Sequence, residues 1–200
     1  MPQAFQYWRP GSEERKLRVF ISHRHGDDEA LYDGVVAALT RNGFPVQDIS
    51  LSAQQVMRGP RGGELPTLAI QSDIAARIYT ADVMIAPARV ATTRSEWVTW
   101  EVQLAAIAYR IPILFVKEEG QQLSTRLIAD IAELGLPHKS CAPDPMLIAS
   151  GVADLVDPRP KRAMRCEEAD ANFAFRGPTP AAIEGVLKKH PFRPRLGGTA

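Results

Sequence analysis

Apolar residues along this chain gather into short, nearly uninterrupted runs, separated by stretches where they recur every three or four positions. Residues 18–22, Arg-Val-Phe-Ile-Ser, form the first run and read as a strand. Asp27-Asp28 then supplies a helix N-terminal signal, Leu31, Val35, Val36 and Leu39 follow at helical spacing, and Asn42-Gly43 closes that helix. Residues 44–51 predict a weaker strand, which Pro45 confines to a sheet edge or delays in starting. Met57-Arg58-Gly59-Pro60-Arg61-Gly62-Gly63 is a loop by its breaker residues, and Leu68, Ile70, Ile74 and Ile78 mark the helix after it. Residues 81–86 are almost free of polar alternation, as a parallel strand covered on both faces would be.

The pattern continues with a helix over 94–109, for which Ser95 is a plausible N-cap, a strand over 111–116 and a helix over 124–134. A short strand over 136–141 and a helix over 146–156 complete it. Strand and helix alternating in this way predict an α/β fold, a doubly wound parallel sheet of four to five strands with right-handed crossovers. Past Asp157 the periodicity gives way to six prolines, with one short helix expected over 180–189 and Pro180 at its first position. Phe173, Phe175 and Phe192 need cover, so this extension is expected to pack on the body or on a neighbour. The chain therefore divides into an N-terminal arm (1–16), an α/β domain (17–156) and a Pro-rich extension (157–200).

Composition narrows the partners more than the fold. In 200 residues, 24 Lys and Arg against 23 Asp and Glu leave no net field that would draw nucleic acid or an acidic membrane. The balance is uneven, because the stretch from Asp157 onward holds nine basic and five acidic side chains, making a basic tail on a mildly acidic body. Cys141 and Cys166 stand far apart, outside any CxxC or Cys/His cluster, so neither a disulfide framework nor a zinc site is expected. The first 18 residues lack an apolar core, and no apolar run approaches the ~20 residues needed to span a bilayer. A cytoplasmic location without membrane or nucleic-acid partners follows as the expectation.

Candidate chemistry concentrates in Ser95-Glu96-Trp97-Val98-Thr99-Trp100-Glu101. On a helix, Trp97 and Glu101 share one face, and Leu104, Ala105 and Ala108 extend it. Most helical glutamates are simply solvated, but this one sits in an apolar stripe, where a carboxylate calls for a reason. At the other end of the domain, Ser22-His23-Arg24-His25 places polar side chains at the carboxyl end of the first strand. In an open α/β sheet that end is the ligand-binding rim, so Ser22, His23 and Glu101 are expected to line one crevice.

Taken together, Val-Phe-Ile-Ser with a following Asp, the Ile-x-x-x-Ile helix running into Ala-Asp-Val-Met-Ile-Ala, and Glu-Trp-Val-Thr-Trp-Glu-Val resemble the TIR domain superfamily over roughly residues 17 to 135. Within it, the chain is similar to the bacterial TIR-like proteins typified by the Thoeris antiphage sensor. The resemblance implies a flavodoxin-like fold and an enzyme that cleaves NAD between nicotinamide and ribose, with NAD as substrate and no cofactor or metal. It assigns catalysis to Glu101, dinucleotide binding to Ser22, His23 and Arg24, and a pocket wall to Trp97. It also places Arg58 and Arg61 on a mobile loop over the crevice, within reach of a pyrophosphate. A homo-oligomeric active state, and a separate effector reading a cyclic or otherwise modified ADP-ribose, complete what it implies.

Three other functions compete. A non-catalytic TIR-like adaptor would share the fold and act by self-assembly, but would have no need of Glu101. A nucleoside deoxyribosyltransferase would use the same carboxylate on free nucleosides. A phosphorylation receiver would account for Asp27-Asp28 and Lys117, yet it needs an acceptor Asp after the third strand, where Pro87 and Ala88 stand, and Asp48 lies one strand too early.

Overall fold

The computed structural model describes residues 16–23, 29–50, 67–88, 96–117, 131–133, 135–156 and 180–191. Along the chain these form β1 (Leu17–Ile21), α1 (Glu29–Arg41), β2 (Val46–Asp48), α2 (Thr67–Thr80), β3 (Val83–Pro87) and α3 (Glu96–Gln103). A wider π-helical stretch (Leu104–Tyr109) prolongs α3, and β4 (Ile113–Val116), β5 (His138–Cys141), α4 (Pro145–Val156) and α5 (Pro180–Lys189) follow. The five strands lie in the order β2-β1-β3-β4-β5 and every neighbouring pair is parallel. This is the flavodoxin-like, doubly wound arrangement, whose winding reverses between β1 and β3.

Side-chain alternation along the strands divides the interior into two cores. Leu17, Val19, Ile21, Val83, Ile85, Leu114 and Val116 face α1 and α4, where they meet Val35, Leu39, Ile148 and Val152. Phe20, Met84, Ala86, Ile113 and Phe115 face the other way, onto Ile74 and Ile78 of α2, Val98 and Val102 of α3, and Ile183 and Leu187 of α5. Burial on both sides explains why 83–87 and 113–116 are apolar without a break.

Where sequence and structure differ, the cause is local. β2 is only three residues long and lies at the sheet edge. Pro45 precedes it and contributes only its carbonyl, which accepts the Leu17 N–H at 2.6 Å, so its missing donor costs nothing. β2 stops at Asp48 because the Asp48 carboxylate accepts the Ser50 N–H at 2.9 Å and turns the chain. The helix expected over 94–109 is described from Glu96 and widens after Gln103, ending at Arg110 in the left-handed region with φ 55°. Of the helix expected over 124–134, residues 131–133 are helical; the remainder, like the N-cap assigned to Ser95, lies outside the described residues.

α5 forms where Pro180 predicts a helix start, and it packs on α2. The indole Nε1 of Trp100 donates to the His190 carbonyl at 2.9 Å, which ties the end of α5 to α3. No helix among the described residues is long and apolar enough to cross a membrane.

At Gly151 of α4 an added Cβ would stand 2.7 Å from Cδ1 of the fully buried Leu114. Gly151→Val is therefore expected to destabilise the protein by about 1–3 kcal/mol, because the added side chain forces the buried Leu114 out of its packed position. Urea unfolding at constant m-value measures this, and an unchanged midpoint would show that α4 can slide outward.

Candidate active site

Strand alternation decides where the first polar residue after β1 points. Ser22 shares the parity of Phe20, so its side chain falls on the α2 and α3 face, and its N–H still bonds to the Ile85 carbonyl at 2.9 Å as the last rung beside β3. Ser22 is buried, and its position is fixed by the sheet. Glu101 approaches from above, on the second turn of α3, in a stripe continued by the buried Leu104 and Ala105.

The two meet. The Ser22 hydroxyl donates to Oε2 of Glu101 at 2.5 Å. Glu101 is only 9% exposed. Burial is the main influence on its carboxyl and pushes its pKa from 4.5 up to about 7, while the Ser22 hydroxyl pulls in the opposite direction. The carboxyl is thus poised between its two forms near neutral pH, as groups that handle charge or protons in reactions often are. The pair stands at the carboxyl end of β1 beside β3, where the winding of the sheet reverses, the place at which doubly wound sheets bind their ligands.

Trp97 is half-buried, packs into the core beneath α3 and meets Trp100 edge-on at 5.8 Å between ring centroids. It lies one helical turn before Glu101 and braces the helix on that side. His23 has the opposite parity to Ser22 and turns toward α1, its ring 4.7 Å from that of Tyr32 and its Nδ1 3.1 Å from the Ile21 carbonyl. Of the three residues expected to line one crevice, Ser22 and Glu101 are therefore paired on one side of β1 and His23 lies on the other. Arg24, Arg58 and Arg61, along with His25, lie outside the described residues.

On the α1 side the structure assembles residues whose part the sequence did not announce. The Tyr32 hydroxyl donates to Oδ2 of Asp48. Ser50, buried just past β2, accepts the Ile21 N–H on its Oγ at 2.7 Å and so replaces the rung that β2 no longer provides. The Asp48-x-Ser50 spacing, typical of a side-chain-closed turn, is the one sequence signal that could have located this group. Among the described residues no grouping of three or more His, Cys, Asp or Glu is placed to hold a metal ion. The end of β3, Pro87-Ala88, offers no carboxylate for a phosphoryl group.

A family model described as Thoeris protein ThsB, TIR-like domain, matches residues 20–122, a span that contains both Ser22 and Glu101. No curated protein matches the chain. Among solved structures, the CMP N-glycosidase BcmB of Clostridium botulinum is similar at 16% sequence identity and a TM-score of 0.42, over 66% of this chain and 95% of that one.

The raised carboxyl of Glu101 has a consequence for stability. Between pH 4.5 and about 7 the folded state keeps a proton that the unfolded state has lost, so this group's contribution to stability falls as pH rises and levels off above 7. Glu101→Gln removes the titration. The variant is expected to gain on the wild type by on the order of 3 kcal/mol between pH 4.5 and 8. Urea unfolding of both proteins across that range checks it; a gap independent of pH would mean that the carboxyl is not buried in the folded state.

Proposed function

The chain belongs to the Thoeris ThsB TIR-like domain family, and from that membership together with the Ser22–Glu101 geometry we propose that it is an enzyme that consumes NAD by breaking the bond between nicotinamide and ribose. The observation that carries this reading is the buried, hydroxyl-anchored carboxylate at the switch point of the sheet. Packing alone would have placed a hydrocarbon at Glu101, and a purely assembling domain gains nothing from removing a carboxylate from water.

Nicotinamide departs as a neutral molecule and needs no proton from the protein. What remains is a ribose with oxocarbenium character, and a fixed carboxylate beside it stabilises that positive charge more strongly than water could, because it is already oriented and poorly solvated. Glu101 in its ionised form supplies this charge, and it can also hold a ribose hydroxyl or steer an incoming nucleophile. Ser22 keeps the carboxylate aimed along one direction between turnovers. The ADP-ribose released, in cyclic or otherwise modified form, is the proposed signal, read by a separate effector in bacterial antiphage defence.

The test is to incubate the protein with NAD, with and without a phage-derived trigger, and to resolve the products by mass spectrometry beside Glu101→Gln. Wild-type protein is expected to release nicotinamide, with a rate that rises with pH through about 7 as Glu101 ionises. Glu101→Gln should slow it by about a hundredfold or more. Ser22→Ala, which removes one hydrogen bond to the charged group, should cost about tenfold. Equal release by wild type and Glu101→Gln would remove Glu101 from catalysis. Absence of turnover under every trigger would favour an assembling role, and cleavage of free nucleosides but not NAD would reassign the substrate.

A further inference from the structure

Asp48 is exposed, stands at the carboxyl end of β2, and is held by two donors. Its Oδ1 accepts the Ser50 N–H at 2.9 Å and its Oδ2 accepts the Tyr32 hydroxyl. Ending β2 requires only the first of these bonds; the second fixes the carboxylate's rotation, which the turn does not need. Neither donor carries a charge to offset the carboxylate, and a carboxylate offers about four acceptor positions, so two bonds leave room for two more. Burial first, and the Asp48 carboxylate after it, push the Tyr32 phenol up from its ordinary pKa, which keeps it a donor. The ring of His23 lies tilted against Tyr32 and restrains it in turn.

Position relates this group to Glu101. Asp48 pairs with Val19 across β1 and β2, and Ser22 lies three residues further along β1. With strands about 4.8 Å apart and a rise of about 3.3 Å per residue, the Cα atoms of Asp48 and Ser22 are about 11 Å apart. The two side chains also point to opposite faces of the sheet, Asp48 toward α1 and Ser22 toward α3. A single ribose cannot reach both. A ligand built of two ribosyl units joined by a pyrophosphate has the length to do so, by starting at the switch point between β1 and β3 and crossing the carboxyl edge of β1 toward β2.

We propose that Asp48, oriented by Tyr32, is a second subsite that binds the 2′,3′-diol of the adenosine ribose of a dinucleotide whose nicotinamide ribose lies at Glu101. The proposal rests on the NAD reading and names the part of the substrate that the Ser22–Glu101 pair does not hold. It also makes Asp48 a specificity residue. A 2′-phosphate on that ribose would replace a donor hydroxyl by negative charge and bring it against the carboxylate, so NADP is disfavoured.

Three substrates separate the two ends of the site: NAD, NADP, and nicotinamide mononucleotide, which has the scissile bond but no adenosine. Asp48→Asn keeps the shape and the Ser50 turn. It is expected to lower kcat/KM for NAD by about tenfold, chiefly through KM, to leave the mononucleotide unchanged, and to narrow the preference for NAD over NADP. Tyr32→Phe should move NAD in the same direction by a smaller factor. Equal losses on NAD and the mononucleotide would make Asp48 a structural residue and overturn the proposal, as would unchanged kinetics on both. Should wild type cleave none of the three, with or without the trigger, the NAD reading itself fails, and calorimetry with 5′-AMP decides the subsite: a tenfold weaker affinity in Asp48→Asn supports it, and equal affinity or no binding by either protein overturns it.

Discussion

Taking a carboxylate out of water at the top of a parallel sheet is unfavourable unless a donor meets it, and in this protein that donor is the hydroxyl of Ser22. Much of the architecture can be read as the means of bringing those two groups together. β1 must end where Ser22 points toward α3, β3 must run alongside to fix the backbone of Ser22, and α3 must enter over the sheet with Glu101 turned down. The result is a group whose ionisation is set by its surroundings, with burial raising its pKa and the hydroxyl restraining that rise.

The two cores supply the rigidity this requires. Because β1, β3 and β4 are buried on both faces, their direction and register leave little freedom at the carboxyl edge. On the edge itself, hydrogen bonds from side chains take over where the ladders end: Ser50 completes the pairing of Ile21, and Asp48 turns the chain at the end of β2. The rim is thus polar and held in place, which suits it to orient a ligand, while the layers beneath it are apolar.

How much of this was legible in the sequence depended on the range of the interactions. The apolar runs at 83–87 and 113–116, the Pro45 edge and the helix from Pro180 depend on nearest neighbours and periodicity, and they appear where the residues place them. The pairing of Ser22 with Glu101 was open to inference because parallel sheets bind ligands on a known edge, so two motifs far apart in sequence could be assigned to one rim. The side on which His23 lies was not foreseen, although simple alternation after Ser22 determines it. The Tyr32–Asp48 bond was hidden for a different reason: it joins a helix to the end of a three-residue strand whose extent is set by a side-chain turn, and neither residue belongs to an informative pattern of its own. The change to a wider helical turn after Gln103 had no signal that periodicity could detect.

The anchoring of α3 by Trp100 bears on how the site comes into being. Glu101 reaches its hydroxyl partner across 79 residues of chain, and its neighbour Trp100 reaches the His190 carbonyl across 90. Closing such loops is slow and entropically costly, and contacts of this span tend to form late in folding. The turn from Glu96 to Glu101 can therefore form before the carboxyl of Glu101 acquires its altered ionisation. Poise at neutral pH is in this sense a property of the finished chain: a partly folded protein carries the motif with an ordinary, solvated glutamate.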